Sequence, residues 1–248
     1  MKIKAVFFDI GGTIHVQEAT PEQDVQYADM VHKLLAAHGI DAGQPQELLA
    51  RIDAGASKYK KYVEDKLIEL PGDEIWTDFM LEGVPAAQLS GLGEELCYLF
   101  DRYRKKITPR PGLRETLDAL QARGYQLGVI SNIMSLTFVP RILEAYGIRE
   151  YFDPLVLSSE CGIRKPRREI FDLALERSGV PRQVACYVGD TISRDVRGAR
   201  FAEWPLMIQI DNPRTYHKDQ AYLGQGYEPD YRVRELPEIV TVLDAYGA

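Results

Sequence analysis

The stretch Ala5-Val6-Phe7-Phe8-Asp9-Ile10-Gly11-Gly12-Thr13, AVFFDIGGT, decides how this chain is read. Four apolar, strand-favouring residues run straight into a carboxylate, and glycines follow. A short apolar run closed by glycine predicts a strand over residues 4–9 that is buried on both faces. Strands of that kind belong to parallel sheets, whose faces are covered by crossover helices. A buried strand that stops on an aspartate then raises a chemical question, which the rest of the sequence answers.

The same pattern returns after residue 107. Apolar runs in QLGVISN (126–132), PLVLSS (154–159), VACYVGD (184–190) and PLMIQID (205–211) predict strands. Between them LRETLDALQARG, LTFVPRILEAYG, REIFDLALERSG and SRDVRGARFA carry helical spacing, and LPEIVTVLDAYG closes the chain as a helix. Pro140 implies a kink or a late helix start. Such alternation predicts an α/β fold with a doubly wound, Rossmann-like parallel sheet. Residues 17–106 differ, because they show helical spacing and no convincing strand. Pro21 suits a first helical position, Gly39 suits a helix stop, and Gly55 is expected to interrupt the second helix. KKITPRPG (105–112) reads as a linker, and the polar segment 211–231 reads as a surface connection to a last edge strand. The expected organisation is a core of residues 1–16 and 107–248, with an all-helical cap inserted at 17–106.

Bulk composition narrows the class. The chain has 248 residues, 45% hydrophobic and 27% charged, with a net charge of −7. An acidic balance without a basic patch argues against nucleic acid. No apolar run approaches a membrane span, and Asp9 cuts the N-terminal run too short for a signal peptide. Cys97, Cys161 and Cys186 form no Cys-x-x-Cys pair and read as reduced thiols of a cytoplasmic protein. The oligomeric state is not legible.

Ligands of open α/β sheets bind beyond the carboxyl ends of the strands. Asp9, Ser131 with Asn132, Asp190 and Asp195, and the Arg164-Lys165-Pro166 segment all fall at such ends. Singly, each has an ordinary reading as a helix cap or a solvated residue. Together, carboxylates gathered at one edge repel unless a cation separates them. Mg²⁺ suits that site, since it prefers oxygen ligands and pairs with phosphate. Ser131 and Lys165 would then serve phosphate oxygens, and a carboxylate nucleophile would form an aspartyl-phosphate.

Four motifs in order, FFDIGGT (7–13), VISN (129–132), RKP (164–166) and GDTISRD (189–195), resemble the haloacid dehalogenase-like hydrolase superfamily. The helical insert sits where that superfamily places its first type of cap. The resemblance implies Asp9 as nucleophile, Ser131 and Asn132 at the phosphate, and Lys165 steadying both. It also implies Mg²⁺ held by Asp9, the Gly11 carbonyl, Asp190 and Asp195, and a small phosphorylated metabolite as substrate. One position departs from the pattern. Phosphatases of the superfamily carry a second Asp two residues after the nucleophile, where this chain has Gly11. His15, six residues after Asp9, is a candidate for the missing acid/base, against the plainer reading of a loop residue. Two alternatives remain open: a phosphonatase using a cap lysine (Lys58, Lys60, Lys61 or Lys66), and a degenerate protein that binds phosphate without turnover.

Overall fold

The structure is a computed structural model that describes residues 2–247. Strand β1 (Ala5–Phe8) is followed by a short strand β2 (His15–Glu18) and then by helices α1 (Pro21–Ala37), α2 (Pro45–Lys66), α3 (Gly72–Ile75), α4 (Ala86–Leu89) and α5 (Gly93–Tyr103). Strand β3 (Lys106–Pro109) leads to α6 (Leu113–Ala122), β4 (Gln126–Ser131), α7 (Phe138–Ala145) and β5 (Phe152–Leu157). The chain continues through α8 (Ser158–Cys161), α9 (Arg168–Ser178), β6 (Ala185–Gly189), α10 (Arg197–Phe201) and β7 (Leu206–Ile210). It ends with α11 (Tyr216–Asp219), β8 (Tyr231–Val233) and α12 (Pro237–Tyr246).

Six strands form one sheet in the order β5-β4-β1-β6-β7-β8, and every pairing is parallel. Without the β2–β3 pair this is the doubly wound order 3-2-1-4-5-6. The alternation of β1 shows why the sheet forms. Val6 and Phe8 face a core shared with Leu117, Val139 and Ile239, while Ala5 and Phe7 face one shared with Phe171, Ala199 and Trp204. Both faces of the strand are thereby fully buried. Each large side chain so covered contributes about 1.5–3 kcal/mol. Residues 21–103 supply a third core of their own, built on Tyr27, Leu35, Ile52, Trp76 and Leu96. No helix among the described residues is long and apolar enough to cross a membrane.

Helix α1 begins at Pro21 as expected, with the Thr20 side chain accepting from the Gln23 amide. Pro140 proves to mark a late start, because α7 begins at Phe138 and the proline ring falls in its first turn. Four expectations are corrected. The 105–112 segment is no linker: Lys106–Pro109 pairs antiparallel with His15–Glu18, so the expected borders at 16/17 and 106/107 fall within a two-stranded ribbon. Its two halves lie some ninety residues apart, and neither shows an apolar alternation long enough to betray the pairing. Gly55 does not interrupt α2, which runs unbroken. A Cβ there would lie 2.2 Å from the Phe79 carbonyl oxygen, so the glycine admits the neighbouring turn Trp76–Met80 against the helix. The segment 85–106, whose helical spacing alone predicts one helix, is two, parted at Gly91, whose φ of +81° suits glycine. The fourth correction concerns residues 211–231 and belongs to the site.

Candidate active site at the carboxyl edge of the sheet

Strand pairing alone brings the first residues together. Phe8 is level with Val129 of β4 on one side and Val188 of β6 on the other. Asp9, Ser131 and Asp190, one or two residues further on, therefore share one edge. The Ser131 hydroxyl donates to Asp9 Oδ1 at 3.1 Å. Lys165 Nζ lies 2.9 Å from that same oxygen and 2.7 Å from Asp195 Oδ1, and it also meets the Tyr187 hydroxyl at 2.7 Å. All five predicted residues are buried in one cluster.

The three carboxylates place ligand oxygens within 4.8 Å of one another, with one ammonium among them. Their environments pull them apart. Burial alone would raise Asp195, yet the charges of Lys165 and Arg194 outweigh it and hold the group at about 2. Its oxygens also accept from Tyr187 and from the amide and hydroxyl of Thr191. Asp190 is pushed the other way, up to about 7, by burial first and then by Asp195 and Asp9. Asn212 Nδ2 donates to its Oδ2 at 2.7 Å, whereas its Oδ1 is buried with no partner. A buried carboxylate oxygen left open beside two further carboxylates fits an all-oxygen site for a hard divalent cation. Gly12, at φ +91°, completes the cradle: a Cβ there would sit 2.1 Å from Asp190 Oδ2.

Other predicted residues stand differently. The Asn132 side chain engages the backbone of Lys165, donating to its carbonyl at 3.0 Å and accepting from its amide at 2.8 Å. It thus fixes the lysine's loop and also lines the cavity. His15 does not line the cavity in front of Asp9. It is fully buried between Phe138 and Tyr146, and burial, aided by Arg102, lowers it to about 4. A neutral imidazole enclosed in this way is poorly placed to deliver a proton at the site. The residue beside the missing carboxylate is Gln17, whose Nε2 lies 3.5 Å from where a Cβ on Gly11 would be. Of the four cap lysines, only Lys60 lines the cavity; Lys58 pairs with Glu82 and Lys66 with Asp65.

The cavity measures about 790 Å³. Part of its wall comes from the segment expected to be a mere surface connection. Asn212 holds Asp190, Asp219 accepts the amides of Ile192 and Ser193 at 2.9 Å each, and Thr215, Lys218 and Tyr222 face the cavity. Sequence reasoning missed these residues because a polar, turn-rich segment looks alike whether it faces water or a ligand. The only available signal was its position directly after a core strand.

This geometry gathers three buried carboxylates and one ammonium at the carboxyl edge of a doubly wound parallel sheet. The family profile of haloacid dehalogenase-like hydrolases matches residues 3–203, and the chain belongs to that family. It is 27% identical to a glyceraldehyde 3-phosphate phosphatase of Methanopyrus kandleri over 97% of this chain and 98% of that one. Among solved structures, a HAD phosphatase from Thermococcus onnurineus superposes with a TM-score of 0.62 at 27% identity, covering 97% of this chain and 98% of the other. A 2-haloacid dehalogenase from Pseudomonas syringae pv. Tomato superposes with a TM-score of 0.67 at 21% identity, covering 98% and 99%, a likeness of fold alone.

Proposed function

We propose that the protein is a Mg²⁺-dependent phosphohydrolase that cleaves a small phosphorylated metabolite, in the cytoplasm, through an aspartyl-phosphate on Asp9. The observation that carries this reading is the open, buried Oδ1 of Asp190 beside Asp9 and Lys165. Asp9, Asp190 and the Gly11 carbonyl are the proposed Mg²⁺ ligands, and Asp195 supports them while holding Lys165. Bound Mg²⁺ would neutralise charge so that an anionic nucleophile can approach an anionic phosphate.

The chain's own residues do the rest. Ser131 and Lys165 both engage Oδ1 of Asp9, which leaves Oδ2 to attack phosphorus. The bond from Oδ2 to phosphorus forms as the ester P–O bond breaks, and the leaving oxygen departs with the electron pair. Water then cleaves the acyl phosphate, releasing phosphate and restoring the carboxylate. Residues 17–106 are read as the cap, hinged on the β2–β3 ribbon, that closes over this step and excludes water. The relatives named as phosphatases support the reaction class.

Gly11 has no side chain to protonate the leaving oxygen, and Gln17 in that space has an amide that does not act as an acid. General acid help is typically worth about 10²–10⁴-fold. The reading therefore favours leaving groups that depart unprotonated. Phosphate release is to be measured with and without Mg²⁺ from an aryl, an acyl and an alkyl phosphate. Expected are Mg²⁺-dependent turnover of the first two, loss of all turnover in Asp9→Asn, and alkyl turnover slower by about that acid factor. Undiminished release by Asp9→Asn, or none by the native chain, would sink the reading.

A further inference from the structure

The cavity in front of Asp9 holds more positive charge than one phosphoryl group needs. Lys165 is already balanced by Asp9 and Asp195. The wall adds Lys60 from α2, Lys105 from the approach to β3, Arg194 from the turn after β6, and Lys218 from α11. Four separate elements thus converge on one space, which a lysine-rich helix face turned to water would not do. Among the described residues, Lys105 and Lys218 make no ion pair, Arg194 makes none although its charge also acts on Asp195, and Lys60 reaches only Glu64, at 3.8 Å.

The cations also feel one another. Burial lowers Lys218 to about 8, with Arg194, Lys105 and Lys60 adding to the effect while Asp190 opposes it. Lys105 is lowered by burial and then by Arg104, Arg194 and Lys60. Asp219, next to Lys218, accepts the amides of Ile192 and Ser193, which puts α11 against the loop that follows Asp190. Like charges in a shared concavity repel and focus a positive potential into it. In a chain of net charge −7 this local excess stands out. An anion bound among the cations relieves that repulsion.

Resting on the phosphohydrolase reading for the place of the scissile group, we infer that the substrate carries a second anionic group, held by Lys105, Arg194 and Lys218. A phosphoryl group fits better than a carboxylate. Three donors of positive charge that approach from different elements match a tetrahedral dianion, whereas a planar carboxylate offers two oxygens in one plane. The substrate class is then a small bisphosphorylated compound, one phosphoryl group facing Asp9 and the other facing the Lys218 cluster.

The test uses binding, so it does not depend on turnover. Calorimetric titration of the full chain with Mg²⁺ present compares propylphosphonate, phosphonopropionate and propylenebisphosphonate at one ionic strength near 0.15 M, where long-range attraction is screened. The bisphosphonate is expected to bind at least about tenfold tighter than the monophosphonate, the advantage of one well-placed charged contact. Replacing both Lys105 and Lys218 with alanine should bring that ratio close to one, and Lys218→Arg should keep most of it. Equal binding of bisphosphonate and monophosphonate, or an unchanged ratio in the double variant, overturns the inference. If phosphonopropionate equals the bisphosphonate, the second group is a carboxylate and the phosphoryl assignment falls. The phosphohydrolase reading fails separately, on phosphate release and Asp9→Asn.

Discussion

Buried carboxylates at two places in this molecule, Glu69 and the strand-end cluster, are built on opposite rules. Glu69 lies in the segment after α2 where the helical layer meets the core. It is fully occupied: Tyr59 donates to one oxygen at 2.5 Å, Ser158 donates to the other at 2.6 Å, and Arg164 pairs with it. Its own amide donates to the Gly162 carbonyl at 2.9 Å. At the strand ends, by contrast, three carboxylates share one ammonium, and Asp190 keeps a buried oxygen with no donor. Glu69 is saturated by the protein, whereas Asp190 is left short of donors. Burial alone does not distinguish the two; the count of partners does.

The largest effect expected from breaking this contrast is on the saturated side. Glu69→Ala strands Arg164, Tyr59 and Ser158 without their acceptor at the junction of the two layers. Removing one partner of a buried ion pair costs about 3–5 kcal/mol. In a chain of this size that lowers the melting temperature by roughly 10 °C. Calorimetric melting of the variant checks it, and a change under about 1 kcal/mol would mean that the junction is not closed in solution.

What the sequence disclosed follows the same division between local and distant causes. Asp9, Ser131 and Asp190 were legible because each ends an apolar run, and parallel strands deliver those ends to one edge whatever lies between; Asp195 and Lys165 lie further on and were legible through the motifs GDTISRD and RKP. The parallel sheet was legible from the alternation of apolar runs with helices, whereas its strand order came only with the structure. Relations between distant segments were not. The ribbon of His15–Glu18 with Lys106–Pro109 depends on a partner beyond any local window. Gly55 looked like a helix break because its reason, the Phe79 carbonyl, belongs to another helix. Asn212, Asp219 and Lys218 looked like loop polarity because nothing in a single sequence says where a loop returns. Asn132 was legible by its place beside Ser131, but its hold on the backbone of Lys165 was not, because that partner lies in a distant segment.

His15 sharpens the comparison with a third way to bury a titratable group. It is neither saturated by charge nor left open to a ligand, but kept neutral. Its Nδ1 lies 3.5 Å from the Tyr146 hydroxyl and its Nε2 lies 3.5 Å from the Gln17 amide, and the nearest influential charge is Arg102, of the same sign as a protonated ring. With the folded group at about 4 and the unfolded one at its ordinary 6.5, the unfolded chain binds a proton that the fold refuses. Stability therefore falls as pH drops from about 6.5 towards 4 and is unaffected by this group above that window. The difference amounts to as much as roughly 3 kcal/mol. Denaturant midpoints of native chain and His15→Gln, measured across this range, should converge at low pH; parallel curves would show that the ring is not held neutral.

The smallest effect is the most diagnostic, because its sign is opposite to that of Glu69. Asp190 is raised to about 7, so between pH 4 and 7 the fold retains a proton that the unfolded chain has lost, and stability falls as pH rises through that window. Above it the fold carries an ionised, unpartnered oxygen against Asp9 and Asp195. Asp190→Asn removes that charge and still accepts from Asn212 through its own carbonyl. Without metal at pH 8 the variant should be more stable than the native chain by about 1–2 kcal/mol, since deleting a buried like charge relieves repulsion. Added Mg²⁺ should raise the melting temperature of the native chain by mass action and leave the variant unchanged. A destabilised variant would place Asp190 with Glu69, as a carboxylate that the fold itself requires. A stabilised variant blind to Mg²⁺ would show that the missing partner in this cluster is a cation, which none of the described residues supplies.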